Sequence, residues 1–351
     1  MTRPRIFVTQ PIAESALERL RAVADVTVNK DSRRVLDKGR LVAAAAKHDI
    51  VFSLLHDTID RAVLKANPKL RAVASMAITP DRIDVATATE RGIPVTVIPP
   101  IVGEATADIC FGLMLAVARR VVEGDRMVHA GEFPGSQSNY LAGSWVWGKT
   151  LGLVGGKGRI GRAVARRAQG FSMRILYSGP RRMPEADERA LGMSFVPLDR
   201  LLAESDFVSL HPPLNAETHH MIGEREFALM KPTAFVINTA RGAIIDEAAL
   251  AQALKDRRIA GAGLDVFENE PRVPKSLLRY PNLVATPHLG SAVAELRAQM
   301  ANIVVDNILA ILRGERPPNC INPETLPMPV ATVSGPGGRT SPSGAFRCPD
   351  R

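Results

Sequence analysis

Short apolar runs alternate with amphipathic segments along the first hundred residues. The runs at 5–9, 24–28, 49–54, 70–75 and 95–97 are rich in Ile, Val and Ala and predict buried strands. The segments at 14–23, 36–46, 60–66 and 85–91 repeat apolar residues at helical spacing. Because strands that alternate with helices form parallel βαβ units, this region predicts a parallel-sheet domain.

A second alternating series occupies residues 149–288. Its predicted strands lie at 151–154, 173–177, 194–195, 207–210, 234–238, 261–265 and 283–285, with helices between them. One long amphipathic helix is expected at 104–129, and a last helix at 291–313 could pack back on the first series. The pattern predicts an α/β protein of two Rossmann-like or flavodoxin-like, doubly wound parallel-sheet domains, with the active site in the cleft between them.

The domain boundaries follow from these two series. Residues 1–100 plus 291–325 are predicted to form a discontinuous substrate domain, and residues 101–290 a dinucleotide-binding Rossmann domain. Residues 326–351 are rich in Pro, Gly, Ser and Thr and predict a disordered tail. The polar loop at 131–148 carries Tyr140, Trp145 and Trp147, for which core packing or a subunit contact is expected.

Composition narrows the class of protein. The 351 residues are 46% hydrophobic and 23% charged, which fits two globular domains. The net charge of +9 comes mostly from scattered arginines without an aromatic-interleaved basic block, so nucleic-acid binding is not expected. Without a long apolar run or a signal-peptide pattern, and with three cysteines, a cytoplasmic protein that does not bind membranes is expected. The ligand-type residues lack metal-site spacing, so no metal is expected.

A glycine-rich turn joins the first apolar run of the second series to a helix pattern. The residues are Gly156-x-Gly158-x-x-Gly161. The first glycine permits a tight turn, the second lets the backbone approach phosphate, and the third lets the helix pack on the strand. The helix N-terminus then faces the anion, so this turn predicts a dinucleotide site.

The next strand suggests which dinucleotide binds. An acidic residue at its end would take the ribose 2′-hydroxyl of NAD, but the chain has Ser178 and Gly179 followed by Arg181 and Arg182. A serine and arginines can bind a 2′-phosphate, so NADP(H) is favoured and NAD(H) is possible. The alternative is that both arginines are solvated surface residues.

Three further strand ends carry the candidate chemistry. Arg241, Glu270 and His288 follow separate predicted strands of the second series. Hydride transfer to a keto acid needs a cation for the carboxylate, a proton donor for the carbonyl oxygen and an anion that orients this donor. Among the seven histidines only His288 has this context; any other taken alone is expected to be structural instead of catalytic, His211 is expected to line the cofactor cleft, and Glu268 competes with Glu270 as the partner carboxylate.

Together these stretches resemble the D-isomer-specific 2-hydroxyacid dehydrogenases, nearest the glyoxylate/hydroxypyruvate reductase branch. The similarity covers roughly residues 45–320 and includes Arg91-Gly-Ile-Pro-Val and Leu210-His-Pro-Pro-Leu214. It implies that Arg241 binds the substrate carboxylate, that His288 is the acid and base, and that Glu270 favours protonated His288. The cofactor residues that follow from the motifs and the resemblance are Thr106, Gly156, Gly158, Arg159, Ile160, Gly161, Ser178, Arg181, Arg182, His211, Pro212, Thr218, Thr239, Ala240, Arg241, Asp265, His288 and Gly290.

The substrate loop departs from the family pattern. It reads Ala77-Ile78-Thr79-Pro80, with Thr79 where glycine is usual and Pro80 lacking an N–H. Ile78, Thr79, Arg241 and His288 are the expected substrate-binding residues. The resemblance implies an NAD(P)-dependent D-2-hydroxyacid dehydrogenase that reduces a small 2-keto acid, working as a homodimer through residues 101–150. The alternatives are an NAD-linked dehydrogenase of a bulkier 2-hydroxy acid and a dehydrogenase-like, dinucleotide-sensing corepressor.

Overall fold

The computed structural model describes residues 2–326. The strands of the first sheet are β1 (Arg5–Val8), β2 (Asp25–Val28), β3 (Ile50–Ser53), β4 (Ala72–Ser75) and β5 (Val95–Thr96). All neighbouring strands are parallel, in the order β2-β1-β3-β4-β5, which is the flavodoxin-like order. The helices between them are α1 (Glu14–Val23), α2 (Lys38–Ala45), α3 (Arg61–Lys65) and α4 (Val85–Glu90).

The second sheet has seven parallel strands. They are β6 (Thr150–Val154), β7 (Arg174–Ser178), β8 (Met193–Phe195), β9 (Phe207–Leu210), β10 (Phe235–Asn238), β11 (Gly261–Leu264) and β12 (Leu283–Ala285). Their order is β12-β11-β10-β9-β6-β7-β8, which is the Rossmann order with one added strand, and it reverses between β6 and β9. The helices are α7 (Arg159–Gly170), α8 (Glu185–Leu191), α9 (Leu198–Glu204), α10 (Glu224–Leu229), α11 (Glu247–Lys255) and α12 (Lys275–Leu278).

Two helices link the sheets. Helix α5 (Gly103–Ala118) buries Phe111 and Met114 against the second sheet. Helix α13 (Ala294–Leu312) returns to the first sheet, where Val304 and Ile308 join its core. The predicted fold class of two doubly wound parallel-sheet domains is confirmed. No helix within residues 2–326 combines the length and hydropathy needed to cross a membrane.

The segment at 104–129 differs from the sequence prediction, because it forms two helices instead of one. Helix α5 ends at Ala118, and α6 (Val121–His129) follows after Arg120, which has a left-handed backbone at φ 54°. The Ala118 carbonyl is turned to accept the amide of Ser144 at 2.8 Å, so the 131–148 loop takes the bond that would continue the helix.

The aromatic residues of that loop also differ from one of the two expectations. Trp145 is 71% exposed and Trp147 is 60% exposed, so they do not pack in the core of this chain. Core packing, one of the two roles expected for these tryptophans, is therefore wrong, and a subunit contact stays a prediction. The predicted disordered tail at 326–351 lies outside the described residues except for Leu326.

Candidate active site

The glycine turn occupies the carboxyl end of β6, beside the point where the strand order reverses. Gly155 has φ 77°, and a Cβ there would lie 2.7 Å from the backbone nitrogen of Pro212. A Cβ on Gly161 would lie 2.6 Å from the Cα of Gly156. Side chains are therefore excluded where β6, β9 and α7 meet, and the first amides of α7 are left to face an anion.

A cavity of about 510 Å³ continues from this turn, between the carboxyl ends of the two sheets. Two buried polar atoms in residues that line it, Nδ1 of His211 and Oγ1 of Thr239, have no hydrogen-bond partner among the described residues. Burial lowers the pKa of His211 to about 4, so this ring is neutral near pH 7. Buried polar groups need partners, so these atoms and the glycine cradle fit a nicotinamide dinucleotide. The expected residues that line the cavity are Ile78, Thr79, Thr106, Ile160, His211, Pro212, Thr239, Ala240, Arg241, His288 and Gly290.

The end of β7 holds the residues expected at the adenosine ribose. Ser178 is buried, and its carbonyl accepts the amide of Gly155 at 2.8 Å. Arg182 binds both carboxylate oxygens of Glu188, at 2.8 and 2.7 Å. The hydrogen bonds from Arg182 and from Tyr177 lower the pKa of Glu188 to about 2. Arg181 forms no ion pair or side-chain hydrogen bond with the described residues, so it is the arginine left for a ligand.

Arg241 follows β10 and reaches toward the first sheet. Its Nε donates to Oδ2 of Asp81 at 3.0 Å, and its Nη2 donates to Oγ1 of Thr79 at 3.0 Å. The side chain of Asn238 shapes the turn by accepting the amide of Ala240 and donating to the Arg241 carbonyl. Thr79 stands where the family usually has glycine, and its hydroxyl therefore positions the guanidinium of Arg241.

His288 and Glu270 form a close pair. Nδ1 of His288 lies 2.9 Å from Oε2 of Glu270, and the amide of Phe267 donates to Oε1 at 2.9 Å. Burial raises the pKa of Glu270, but the hydrogen bonds from His288 and His56 together outweigh burial. The pKa of Glu270 therefore lies well below its usual range. An ionised Glu270 accepts only, so His288 donates its Nδ1–H and leaves Nε2 for a ligand. The competing Glu268 lies 3.1 Å from Nε2 of His220 instead.

Asp265 shapes the loop that carries His288. The buried Asp265 carboxylate accepts the amides of Leu289 at 2.6 Å and Gly290 at 2.8 Å, and the His288 backbone has φ 57°. Thr218 has a local role of the same kind, since its hydroxyl donates to the Pro213 carbonyl at 2.6 Å and it does not line the cavity described above. Arg159 opens α7, and its Nη1 donates to the Pro100 carbonyl at 3.3 Å.

The structure adds residues that sequence reasoning missed. A second cavity of about 540 Å³ is lined by Arg241, Glu270 and His288 and also by His56 and Arg82. Nε2 of His56 lies 2.7 Å from Oε2 of Glu270, and Nη2 of Arg82 donates to the Glu270 carbonyl at 3.2 Å. The sequence shows only that His56 follows a predicted strand; that this strand lies where the first sheet reverses its order is seen in the fold.

Histidine and carboxylate groups also cluster in the described part of the chain. Ligand-type atoms lie within 4.8 Å of one another in two groups, which are His56, Glu270 and His288, and His219, His220 and Glu268. They meet only in the fold, so spacing along the chain does not reveal them. In the first group hydrogen bonds already join the three side chains, and a reaction without a metal stays a prediction.

Comparisons with known proteins identify the family of this chain. Residues 111–290 match the family model described as "D-isomer specific 2-hydroxyacid dehydrogenase, NAD binding domain". A glyoxylate reductase from Thermococcus litoralis is 45% identical over 92% of this chain and 98% of its own length. A solved structure from Thermus thermophilus is 41% identical with a TM-score of 0.83, covering 90% of this chain and 99% of that one. An NADPH-dependent glyoxylate/hydroxypyruvate reductase from Sinorhizobium meliloti, solved with NADP and malonate, is 31% identical with a TM-score of 0.74, covering 93% and 98%.

Proposed function

The chain belongs to the D-isomer-specific 2-hydroxyacid dehydrogenase family and is an oxidoreductase, and from this premise we propose that it reduces a small 2-keto acid to the D-2-hydroxy acid. The observation that carries the proposal is that Arg241, His288 and Glu270 line one cavity, with His288 bound to an ionised Glu270. A cation, a proton donor and an orienting anion are the three groups that the reduction requires.

Each side chain has one task in this proposal. Arg241 binds the substrate carboxylate and polarises the keto oxygen, and the contacts to Asp81 and Thr79 fix its orientation. His288 gives a proton to the keto oxygen, and in the reverse direction it takes the proton of the hydroxyl group. Glu270 stabilises the protonated imidazole. A bound nicotinamide supplies the hydride when the keto acid is reduced.

The proposed cofactor is NADP(H), with NAD(H) as the alternative. The cradle at Gly156, Gly158 and Gly161 would hold the pyrophosphate, and the orphaned atoms of His211 and Thr239 would meet the rest of the dinucleotide. Ser178 and Arg181 would bind a 2′-phosphate, whereas Arg182 supports that loop through Glu188. The Sinorhizobium relative is described as NADPH-dependent, which supports the same choice.

The proposed substrates are glyoxylate and hydroxypyruvate. The Thermococcus relative is named a glyoxylate reductase, which supports a small keto acid. Leu54, Leu55 and Leu214 also line the catalytic cavity, and this apolar wall is why an NAD-linked dehydrogenase of a bulkier 2-hydroxy acid is kept as the second candidate.

The test is turnover with a panel of keto acids and both cofactors. The full chain is assayed with glyoxylate, hydroxypyruvate, pyruvate and branched 2-keto acids, each with NADPH and NADH. We expect the highest kcat/KM for glyoxylate or hydroxypyruvate with NADPH. A higher kcat/KM for a branched acid with NADH would support the second candidate. No oxidation of either cofactor by any of these acids would overturn the proposed reaction and favour a dinucleotide-sensing corepressor.

The proposed assembly is a homodimer formed through residues 101–150. Helix α6 buries none of its residues within the chain, although it carries Val121 and Val128. The loop after it exposes Phe133, Trp145 and Trp147. Large exposed apolar side chains on one continuous segment mark an interaction surface, and a second copy of the chain is the partner proposed here.

A further inference from the structure

His56 is a second donor to the carboxylate of the acid/base pair. It follows β3 of the first sheet and lies 214 residues before Glu270 in the chain. Its Nε2 is 2.7 Å from Oε2 of Glu270, the same oxygen that His288 contacts at 2.9 Å. The rings of His56 and His288 meet edge to face with centroids 5.5 Å apart. An ionised carboxylate only accepts, so both imidazoles donate to one oxygen.

The loop that carries His56 is held by hydrogen bonds to its neighbours in the first sheet. The next residue, Asp57, is buried, accepts the hydroxyl of Thr9 and accepts the amide of Leu54 at 2.7 Å. These bonds tie the loop to the end of β1, so the His56 ring is held against Glu270. The side chain of His56 is only 25% exposed and that of Glu270 only 10%, so water competes weakly for this contact.

We propose that His56 is a positioning residue that weakens the hold of Glu270 on the proton of His288. Each donor on Oε2 stabilises the carboxylate and reduces its basicity, so less of its charge serves to hold the protonated imidazole. His288 then releases its proton more readily to the keto oxygen. This inference rests on the proposed function, since the strength of the acid matters only where His288 donates a proton.

The other charged groups around the pair do not replace His56. Arg82 reaches the Glu270 carbonyl instead of its carboxylate. The pKa of Glu247 is raised chiefly by burial and also by the negative charges of the neighbouring Glu268 and Glu270. The groups around Glu270 on the Glu247 side are therefore acidic. Glu268 itself contacts His220, and Arg241 is bound to Asp81. Asp57 is the carboxylate beside His56, and its pKa is raised chiefly by burial.

The test compares His56→Leu with His56→Gln. Leucine removes the donor, whereas glutamine keeps an N–H at a similar reach. The pH at which kcat/KM for keto-acid reduction falls is measured at saturating cofactor. In His56→Leu this fall should move to higher pH by about half a unit, which corresponds to part of the free energy of one hydrogen bond to a charged group. His56→Gln should stay near the wild type, which a merely structural role would not require.

A second readout separates this inference from the proposed function. The imidazole of His288 is titrated by NMR in the ligand-free protein, after circular dichroism has shown that each variant is folded. His56→Leu should raise the titration midpoint of His288, and His56→Gln should not. An unmoved or lowered midpoint in His56→Leu overturns the role of His56. If wild-type protein fails to turn over every keto acid while the NMR midpoint moves, only the proposed reaction fails.

Discussion

At the scale of the residue, the proposed acid/base role of His288 depends on an ionised Glu270. The lowered pKa of Glu270 keeps its carboxylate charged near neutral pH, and this negative charge favours a protonated imidazole beside it. Glu270→Gln removes the charge but keeps the shape. We expect reductive turnover in this variant to fall at a pH lower by about one unit, because a one-unit change corresponds to a modest charge interaction. The measurement is kcat/KM for reduction from pH 5 to pH 10.

Glu268→Gln is the matched control for this variant. Glu268 lies two residues away and contacts His220 instead of His288. Its pH profile should therefore follow that of the wild type. Equal shifts in both variants would show that the effect comes from general charge in the loop and would count against the Glu270–His288 pair.

Arg181 is the residue proposed to set the preference for NADPH over NADH. It is the arginine after β7 without an ion pair in residues 2–326, whereas Arg182 is bound to Glu188. Arg181→Ala should raise KM for NADPH about tenfold, since a hydrogen bond to a charged group contributes about 1.5 kcal/mol or more. KM for NADH should hardly change. The control is Arg189→Ala, an exposed arginine paired with Glu185 on α8, and an NADPH effect of the same size there would refute the assignment.

Single residues also show where sequence reasoning reached its limit. The sequence was enough to choose Arg241, Glu270 and His288 as candidates, because each follows a predicted strand and matches a family motif. The fold brings all three to one cavity. His56 stands in no motif, and its contact with Glu270 spans 214 residues. Only the order of the strands brings their loops together, and a single sequence does not state that order.

At the scale of the element, the loops after β10 and β11 are held together by Gly242. A Cβ on this residue would lie 1.9 Å from the carbonyl carbon of Phe267, so the turn after Arg241 packs directly on the loop that leads to Glu270. Gly242→Ala must push these backbones apart. We expect a loss of about 2–3 kcal/mol in stability, typical of overpacking, together with a fall in kcat. Thermal unfolding and turnover measure both effects.

Gly112→Ala is the contrasting control. Gly112 lies inside α5, and a Cβ there would have no neighbour within 4 Å. Alanine is a better helix former than glycine by about 1 kcal/mol, so this variant should be as stable as the wild type or more stable. Destabilisation of Gly112→Ala as large as that of Gly242→Ala would mean that packing does not explain the effect.

Elements were predicted best where a local pattern determines them. Helix α1 begins and ends at the expected residues, and every predicted strand is present within about two residues of its expected bounds. The break between α5 and α6 was missed because neither glycine nor proline marks it. It depends on the amide of Ser144, in a loop distant along the chain, which donates to the Ala118 carbonyl. It depends also on the left-handed backbone of Arg120.

At the scale of the whole molecule, two switch points meet at one cleft. The first sheet reverses its strand order between β1 and β3, which leads to His56, and the second between β6 and β9, which leads to the glycine turn and His211. Ligands bind in such crevices outside the carboxyl ends of the strands. The two cavities share residues from both sheets, including His56, Thr79, Arg241 and His288, so the proposed reaction needs both domains in place.

The oligomeric state is tested on the surface formed by α6 and the loop that follows it. Trp145 and Trp147 are more than half exposed, and each can bury about 150–250 Å² at an interface. Light scattering should give about twice 37.9 kDa for the wild type. The double variant Trp145→Ser/Trp147→Ser should give one chain mass. Leu278→Ser, another exposed apolar residue outside this surface, should keep the dimer. If the double variant is still a dimer, the interface lies elsewhere on the surface. If the wild type is a monomer, the proposed dimer is wrong and the active site is complete within one chain.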